Sequence, residues 1–597
     1  MNEKLKGILH TAWNEPRHFF LWLALFSLCG LAAAFVCVAP AGPTVFVAVV
    51  LVGSSACFVL SILAFILAWI PPLRRLFAWL LGRRFLVLGC LVTLVALFYT
   101  VENWRGRSAW QAYKRDREAK GEHFDRVSLA PAPVPDDQNL FETPLWQDMH
   151  FTQTNGITAW SDTNWGNHVI FDMYGPNSSK TPSPGNWRVA RRADLAAWQA
   201  YYRGTNNVFP APDGSPTNYF PVAKEPQTSA ADVLLALGKF DGNRRLLIEA
   251  AARPHARFWV NYDAGAGMLM PHLARVKVSA SFLAFHATAA LRSGDRETAL
   301  EDVKLIFRLM EAIRGEPILI SELVCIAILQ QELQPIWEGL ADRQWTEADL
   351  RIIESELSKL DFLADYHLAL RGERACNLWA IDYIRRVGIQ ELDEGSWMSD
   401  PESERSAQSG TAGFPDGEKL LRQTLFQLVP AGWFDQNKLF SSRLYEKYML
   451  PLVNQEQRLV LPAAVQQSSA MGRELVRMPY RFLAGLMVPA LARAAEKFAY
   501  VQGLVDLARV ACALERYRLA NGQFPETLAA LAPKFIEQLP HDLINGQPLK
   551  YRRTDDGQFV LYSVGWNESD DGGTVGLNKS GNPDWHTGDW VWRYPAK

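Results

Sequence analysis

Neither sign of charge predominates in this chain. Its 61 Lys and Arg stand against 63 Asp and Glu, a formal net charge of -2 over 597 residues. No global field exists to gather DNA or RNA, so no nucleic-acid partner is expected. Cysteine is scarce too: there are seven, an odd number, and Cys29, Cys37, Cys57 and Cys90 fall inside strongly apolar runs. Among Cys325, Cys376 and Cys512 at most one disulfide could form. Each lies in an apolar helical pattern that suits a buried thiol, which excludes a disulfide framework. Familiar catalytic signatures are also missing: no G-x-S-x-G, S-x-x-K, H-E-x-x-H, C-x-x-C, phosphate loop or G-x-G-x-x-G occurs. No reaction is named by motif, and the chain leans away from being an enzyme.

What is present begins with three charge-free apolar runs, at 19–39, 44–70 and 85–101. Each reaches or approaches the ~20 residues that cross a ~30 Å hydrocarbon layer, and a soluble helix would carry a polar stripe, so three N-terminal transmembrane helices are expected. Lys4, Lys6 and Arg17 precede the first run, and Arg74, Arg75, Arg83 and Arg84 crowd the second connection, while the first connection has no charge. The positive-inside rule then puts the N-terminus in the cytoplasm and residues after about 102 outside, in the periplasm of a bacterial inner membrane. The stretch "APA" at 39–41 resembles a signal-peptide cleavage site, but two further runs behind it keep the protein anchored in lipid.

The remainder reads as mostly α with a small α+β module at the C-terminus. Residues 1–104 form the anchor. Residues 105–228 hold a juxtamembrane helix, stopped by the prolines of "LAPAPVPDDQN", and then an irregular wrap in which only 193–204 is helical. A helical lobe at 229–392 has apolar residues at three- and four-residue intervals, with ends marked by Gly-Asp, Gly or Pro. Thr346 and Asp349 stand at capping-box spacing at the start of a helix running toward 372–386. One segment, "AALRSGDRETALEDV", is similar to a tetratricopeptide turn, yet no 34-residue period follows it. The polar stretch 393–418 predicts a mobile loop. A second helical segment covers 419–499, and the C-terminal module 500–597.

In that module a helix ends at Asn521-Gly522, a short helix follows Pro525, and the strands "LKYRR" and "FVLYSVG" flank an Asp-Gly turn that favours a hairpin. The order of Gly522, Phe524, Pro525, Leu528, Asp542, Gly546, Pro548, Tyr551, Ser563, Gly565, Gly572, Gly573 and Asp589 resembles the periplasmic domain of the major, G-class pseudopilins of type II secretion. The resemblance covers about the last hundred residues. It implies a pseudopilin-like antiparallel hairpin or sheet, secretion-apparatus or other envelope partners, and a calcium loop. Calcium takes six to eight oxygens, and the matching positions here are Asn567, Asp570, Asp571 and Asp589. The family usually has Asp where Asn567 stands, which removes a charge. Pseudopilins also open with a short basic leader and one apolar helix, whereas the corresponding helix here is internal. The segments "RPHARF", "PHLARVK", "EPILISELV", "QPIWEGLA" and "GERA" look like a family of uncharacterised membrane-anchored proteins of Planctomycetes and Verrucomicrobia, a likeness that supplies no activity.

Two further groups bear on function. His255, His272, Glu322 and Glu373 lie in the helical lobe with Arg253, Arg257, Arg371 and Arg374 close by in sequence. Such residues could line an acid–base pocket of an envelope hydrolase, or simply pair with one another between packed helices. Trp146, Trp160, Trp165, Trp187 and Trp198 in the wrap, and Trp566, Trp585, Trp590 and Trp592 near the end, offer faces on which a glycan could stack, or anchor a core. The leading expectation is a membrane-anchored binding or assembly component of the envelope. A hydrolase and a glycan-binding protein are the alternatives.

Overall fold

The computed structural model describes residues 21, 24, 62, 65–66, 70–73, 75, 79, 84–154, 157–160, 170–175, 181–210, 215–387, 428–475 and 482–595. The first two apolar runs, apart from isolated positions, and the polar stretch 393–418 lie outside them. The described helices of nine or more residues are α1 Arg84–Glu118, α2 Leu195–Arg203, α3 Ser229–Leu237, α4 Asp241–Ala251, α5 Pro271–Ser293, α6 Arg296–Ile313, α7 Leu319–Ala341, α8 Glu347–Ser358, α9 Phe362–Val387, α10 Ala431–Leu444, α11 Pro462–Leu475 and α12 Phe482–Asn521. The chain is mostly helical, with short antiparallel strands gathered toward its C-terminus.

The ends of these helices follow from local chemistry. Thr346 Oγ1 accepts from the Asp349 amide at 3.2 Å and Asp349 Oδ2 accepts from the Thr346 amide at 2.9 Å, so the expected capping box opens α8. Between α5 and α6, Gly294 takes the left-handed conformation and Asp295 caps the next helix through the Thr298 amide. The expected run from 346 toward 386 is broken at Asp361. Its carboxylate accepts from the amides of Leu363 and Ala364, both at 3.1 Å, and starts α9 as a new helix.

Two compact units divide the chain. The first comprises residues 1–120 and 379–439. In it α1 runs unbroken from the third apolar run into the charged stretch beyond, as expected. Its apolar half is exposed at Leu88, Val92, Leu94 and Val95, and Val87–Glu118 is long and apolar enough to cross a membrane. The apolar half ends at Glu102, whose Oε2 accepts from Trp433 Nε1 at 3.0 Å and Gln436 Nε2 at 3.2 Å. Of the three expected spans, this is the one among the described residues. Leu319–Ala341 passes the same test of length and composition, but 61% of its apolar window is buried, so it is a core helix of the second unit.

The second unit comprises residues 121–378 and 440–597. One continuous core joins Phe141 and Trp198 of the wrap to Leu283 of α5, Ile336 of α7, Leu507 of α12 and Trp592 near the C-terminus. The helix α5 packs on α6 and α7, and α12 packs on α7, α8 and α11. The described residues of the wrap are irregular, with α2 where expected, capped by Asp194. They also hold two hairpins that the sequence did not announce, β1 Phe151–Thr154 with β2 Ile157–Trp160 and β3 Val208–Pro210 with β4 Pro216–Asn218. A third small hairpin pairs β5 Val453–Asn454 with β6 Leu459–Val460.

The expected C-terminal hairpin is β7 Lys550–Arg553 with β8 Phe559–Ser563, and β11 Trp590–Arg593 adds to the free edge of β8. Beside it, β9 Val575–Leu577 and β10 Pro583–Gly588 form a separate ribbon. The boundary drawn at 499/500 falls inside α12, and the module shares the core of the helical lobe. Tryptophans join the two. Trp337 Nε1 donates to the Arg593 carbonyl at 2.9 Å, and the rings of Trp187 and Trp592 lie 5.1 Å apart.

Candidate functional site

Two polar regions of the second unit lie along α7. The first, at its N-terminal end, contains three of the four candidate acid–base residues. His272, at the start of α5, is fully buried; its Nε2 lies 2.8 Å from Glu316 Oε1 and its ring stacks on Phe258 at 4.2 Å. The other oxygen of Glu316 accepts from Ser321 Oγ. Glu322 Oε1 accepts from the Gly315 amide at 3.4 Å, and Glu373 Oε1 from the Leu319 amide at 3.0 Å, satisfying backbone donors where α7 begins. Gly372 makes this assembly tight, because a Cβ there would lie 1.6 Å from the Pro317 carbonyl oxygen. His255 is not part of it: it is exposed and bridges through its backbone to Asn139.

Burial governs the electrostatics of this knot. Desolvation, then the negative charge of Asp365, push the Glu322 carboxyl up to about 8. Asp365 is raised by burial too but holds Arg314 Nε at 2.7 Å, so Glu322 is the member of that pair that keeps a proton. Burial likewise raises Glu373. A nucleophilic relay requires the base to touch the nucleophile and an acid to orient the base. Here Glu316 stands in the middle, with His272 and Ser321 on opposite oxygens, so His272 is not placed to take the Ser321 proton. His272 and Ser321 are wholly buried and Glu316 is 5% exposed. The arrangement holds the turn 314–318 between α5, α7 and α9.

In the C-terminal loop, the proposed calcium ligands are occupied by protein donors. The buried Asp589 carboxylate accepts from the amides of Asp571 (3.2 Å), Gly573 (2.7 Å) and Thr574 (3.3 Å). Asp570 accepts from Tyr562 Oη at 2.9 Å and the Gly572 amide, and lies 3.3 Å from Lys550 Nζ. Asn567 Nδ2 donates to Asp571 Oδ2 at 2.8 Å. A cation needs converging oxygens, whereas these carboxylates are engaged by N–H, O–H and ammonium donors of the protein, so the residues present do not fit a calcium ion. Among the described residues no group of three or more His, Cys, Asp or Glu is placed to hold a metal. Other positions of the pseudopilin-like pattern close turns: Asp542 accepts from the amides of Ile544 and Val564 and from Ser563 Oγ, and Tyr551 Oη donates to the Pro525 carbonyl.

The tryptophans serve burial. Trp146, Trp187, Trp198, Trp566, Trp590 and Trp592 are buried, and Trp585 is half-buried. The side chains of Trp160 and Trp165 lie outside the described residues. The six buried rings offer no open face for a glycan. The thiols of Cys325, Cys376 and Cys512 are free, Cys325 and Cys512 in the core.

The second polar region is a cleft of about 370 Å³ between wrap residues 184–188 and the middle of α5 and α7. It falls in the size range of small-molecule sites. Trp187 fixes one wall, its amide donating to Gln334 Oε1 at 2.7 Å and its Nε1 to the Gln330 carbonyl at 3.3 Å. Gln334 Nε2 in turn donates to the Arg191 carbonyl and to Glu338. Gly185 takes a φ of +100°, and a Cβ there would lie 2.4 Å from Gln334 Nε2, so only glycine lets the wrap approach α7 this closely. Ala284, Phe285 and Ala327 supply apolar wall, and Lys277, Ser281, Gln330, Gln331, Asn186 and Arg188 the polar groups.

Sequence reasoning missed Glu316 and Ser321, and all the polar residues of the cleft. The available signal was "LQQELQP" at 329–335, where consecutive amides and an acid interrupt an otherwise apolar helix. No family model, curated protein or solved structure matches the chain.

Proposed function

We propose that this chain is a membrane-anchored envelope protein that works by binding, its helical body held outside the inner membrane by three N-terminal spans. The exposed apolar half of α1 supports the anchor. The observation that carries the binding reading is the separation of acid–base groups from open space. The cleft has volume and donors, and among the described residues its lining contains no Asp, Glu or His side chain. The His272–Glu316–Ser321 group has those chemistries and lies in the core. Binding requires only the cleft; general acid–base catalysis requires both in one place. Because the C-terminal module shares the core of the helical lobe, it acts in this reading as a fixed part of the body, and a secretion-apparatus or other envelope protein would meet a rigid surface.

A reporter fused after residue 130 is expected to be active only outside the cytoplasm, and cytoplasmic activity would overturn the exported body. Ser321→Ala, assayed in cells lacking the native protein, is expected to preserve whatever growth or envelope phenotype the wild-type chain restores. Loss of complementation by a variant that is still folded would favour the hydrolase.

A further inference from the structure

We infer that the cleft between the wrap and α5/α7 binds a small, hydroxyl-rich organic anion, such as a sugar acid or a sugar phosphate, with its charged group on Lys277. The inference rests on the binding reading above and goes beyond it in naming a ligand class.

The groups left over after the internal hydrogen bonds of the cleft are counted are mainly donors. Lys277 is exposed and pairs with no carboxylate among the described residues. Ser281 Oγ lies 2.9 Å from the Lys277 carbonyl and 2.7 Å from Gln331 Oε1, and the Gln331 amide nitrogen has no protein partner among the described residues. Asn186 Oδ1 accepts from Arg188 Nε at 3.4 Å, leaving the Asn186 nitrogen likewise. The Gln330 side chain has no protein partner among the described residues and can donate and accept. Arg188 adds a second positive charge, its Nε donating to Asn186 Oδ1. The nearest acid along the wrap, Asp172, does not line the cleft; its carboxylate accepts from the Tyr174 and Gly175 amides and from Tyr219 Oη.

Two cations, no lining carboxylate and an excess of N–H donors favour a ligand rich in acceptors and negative in charge. Amides able to donate and accept suit hydroxyl groups, and Phe285, Ala284 and Ala327 suit the carbon skeleton. A neutral sugar would gain no charge pairing from the Lys277 ammonium, and a purely apolar ligand would leave the amides desolvated.

The full-length protein in detergent micelles, titrated calorimetrically with glucuronate, glucose 6-phosphate and glucose in separate arms, tests this. At least one of the two anions is expected to bind about tenfold or more tighter than glucose, and the stronger arm distinguishes a carboxylate from a phosphate site. Lys277→Gln is expected to weaken that anion by about tenfold, and Gln331→Leu to weaken it less, while the unfolding transition of the Lys277→Gln protein stays in place. Three outcomes would overturn the inference: neither anion binds, glucose binds as tightly as the anions, or Lys277→Gln binds like wild type. Binding accompanied by chemical conversion of the probe, read by NMR, would leave the site standing and remove the binding-only function.

Discussion

The two polar regions along α7 share one helix and are opposite in kind. At the N-terminal end, Glu316, Ser321 and Glu322 are turned into the core and meet His272, Gly315 and one another. About three turns later, Gln330 and Gln331 stand at the wall of an open cleft. The difference lies in what covers the helix. Over the first region α9 comes so close that Gly372 touches Pro317. Over the second lies only a loop pinned by one tryptophan and one glutamine. A titratable residue in a helical lobe is therefore weak evidence for a reaction, because the same packing that shifts its proton affinity also closes it from substrate.

The contrast can be broken most forcefully at Gly372. Gly372→Val should destabilise the fold by about 4 kcal/mol or more, since backbone rather than a flexible side chain stands in the way. Urea unfolding of the solubilised protein measures it, and a loss near zero would mean the knot is loose. A second effect, smaller and opposite in sign, belongs to Glu332 of α7, which is fully buried with no partner among the described residues for either carboxylate oxygen. Burial drives its carboxyl well upward, so the native state holds it neutral and its acid group contributes nothing by pairing. Glu332→Leu should stabilise the protein by about 1 to 3 kcal/mol at neutral pH, and a destabilised variant would show that this acid has a partner in solution.

Per unit of pH, the smallest of these effects is one of titration. The Glu322 carboxyl is raised in the folded state to about 8, so the native chain binds its proton more tightly than the unfolded chain. This contribution to stability is fully present below the ordinary glutamate range. It is lost progressively as pH rises toward 8, at a limiting slope on the order of 1 kcal/mol per pH unit, and is constant above that. Glu322→Gln should flatten the unfolding free energy across this window. An unchanged profile would place the proton elsewhere in the Glu322–Asp365 pair.

Much of the fold was legible because its signals are local. The Thr346–Asp349 box, the Gly294–Asp295 turn, the Asp194 cap of α2 and the Asp-Gly hairpin of the C-terminal module each depend on residues a few positions apart. The site was not legible, because its partners are distant in sequence. His272 and Glu316 are 44 residues apart, and Trp187 and Gln334 are 147 apart. Glu316, moreover, sits in a Gly-Glu-Pro stretch that reads as a helix break rather than as a side chain with a partner. The acidic loop is ambiguous in sequence for a related reason. Asp and Asn that satisfy turn amides have the same composition as Asp and Asn that ligate calcium, and only the direction of their neighbours separates the two. Trp187 and Trp337 stand at joints between wrap, helices and sheet, where a large ring with one donor closes a gap and satisfies a carbonyl.

Hydrogen exchange of the intact protein, with and without the anion that binds, tests the division of α7 most directly. Ligand is expected to raise protection at 185–193, where the Trp187 amide is held by Gln334, and to leave 315–322 unchanged. Protection that changes at 315–322 while 185–193 stays the same would contradict it.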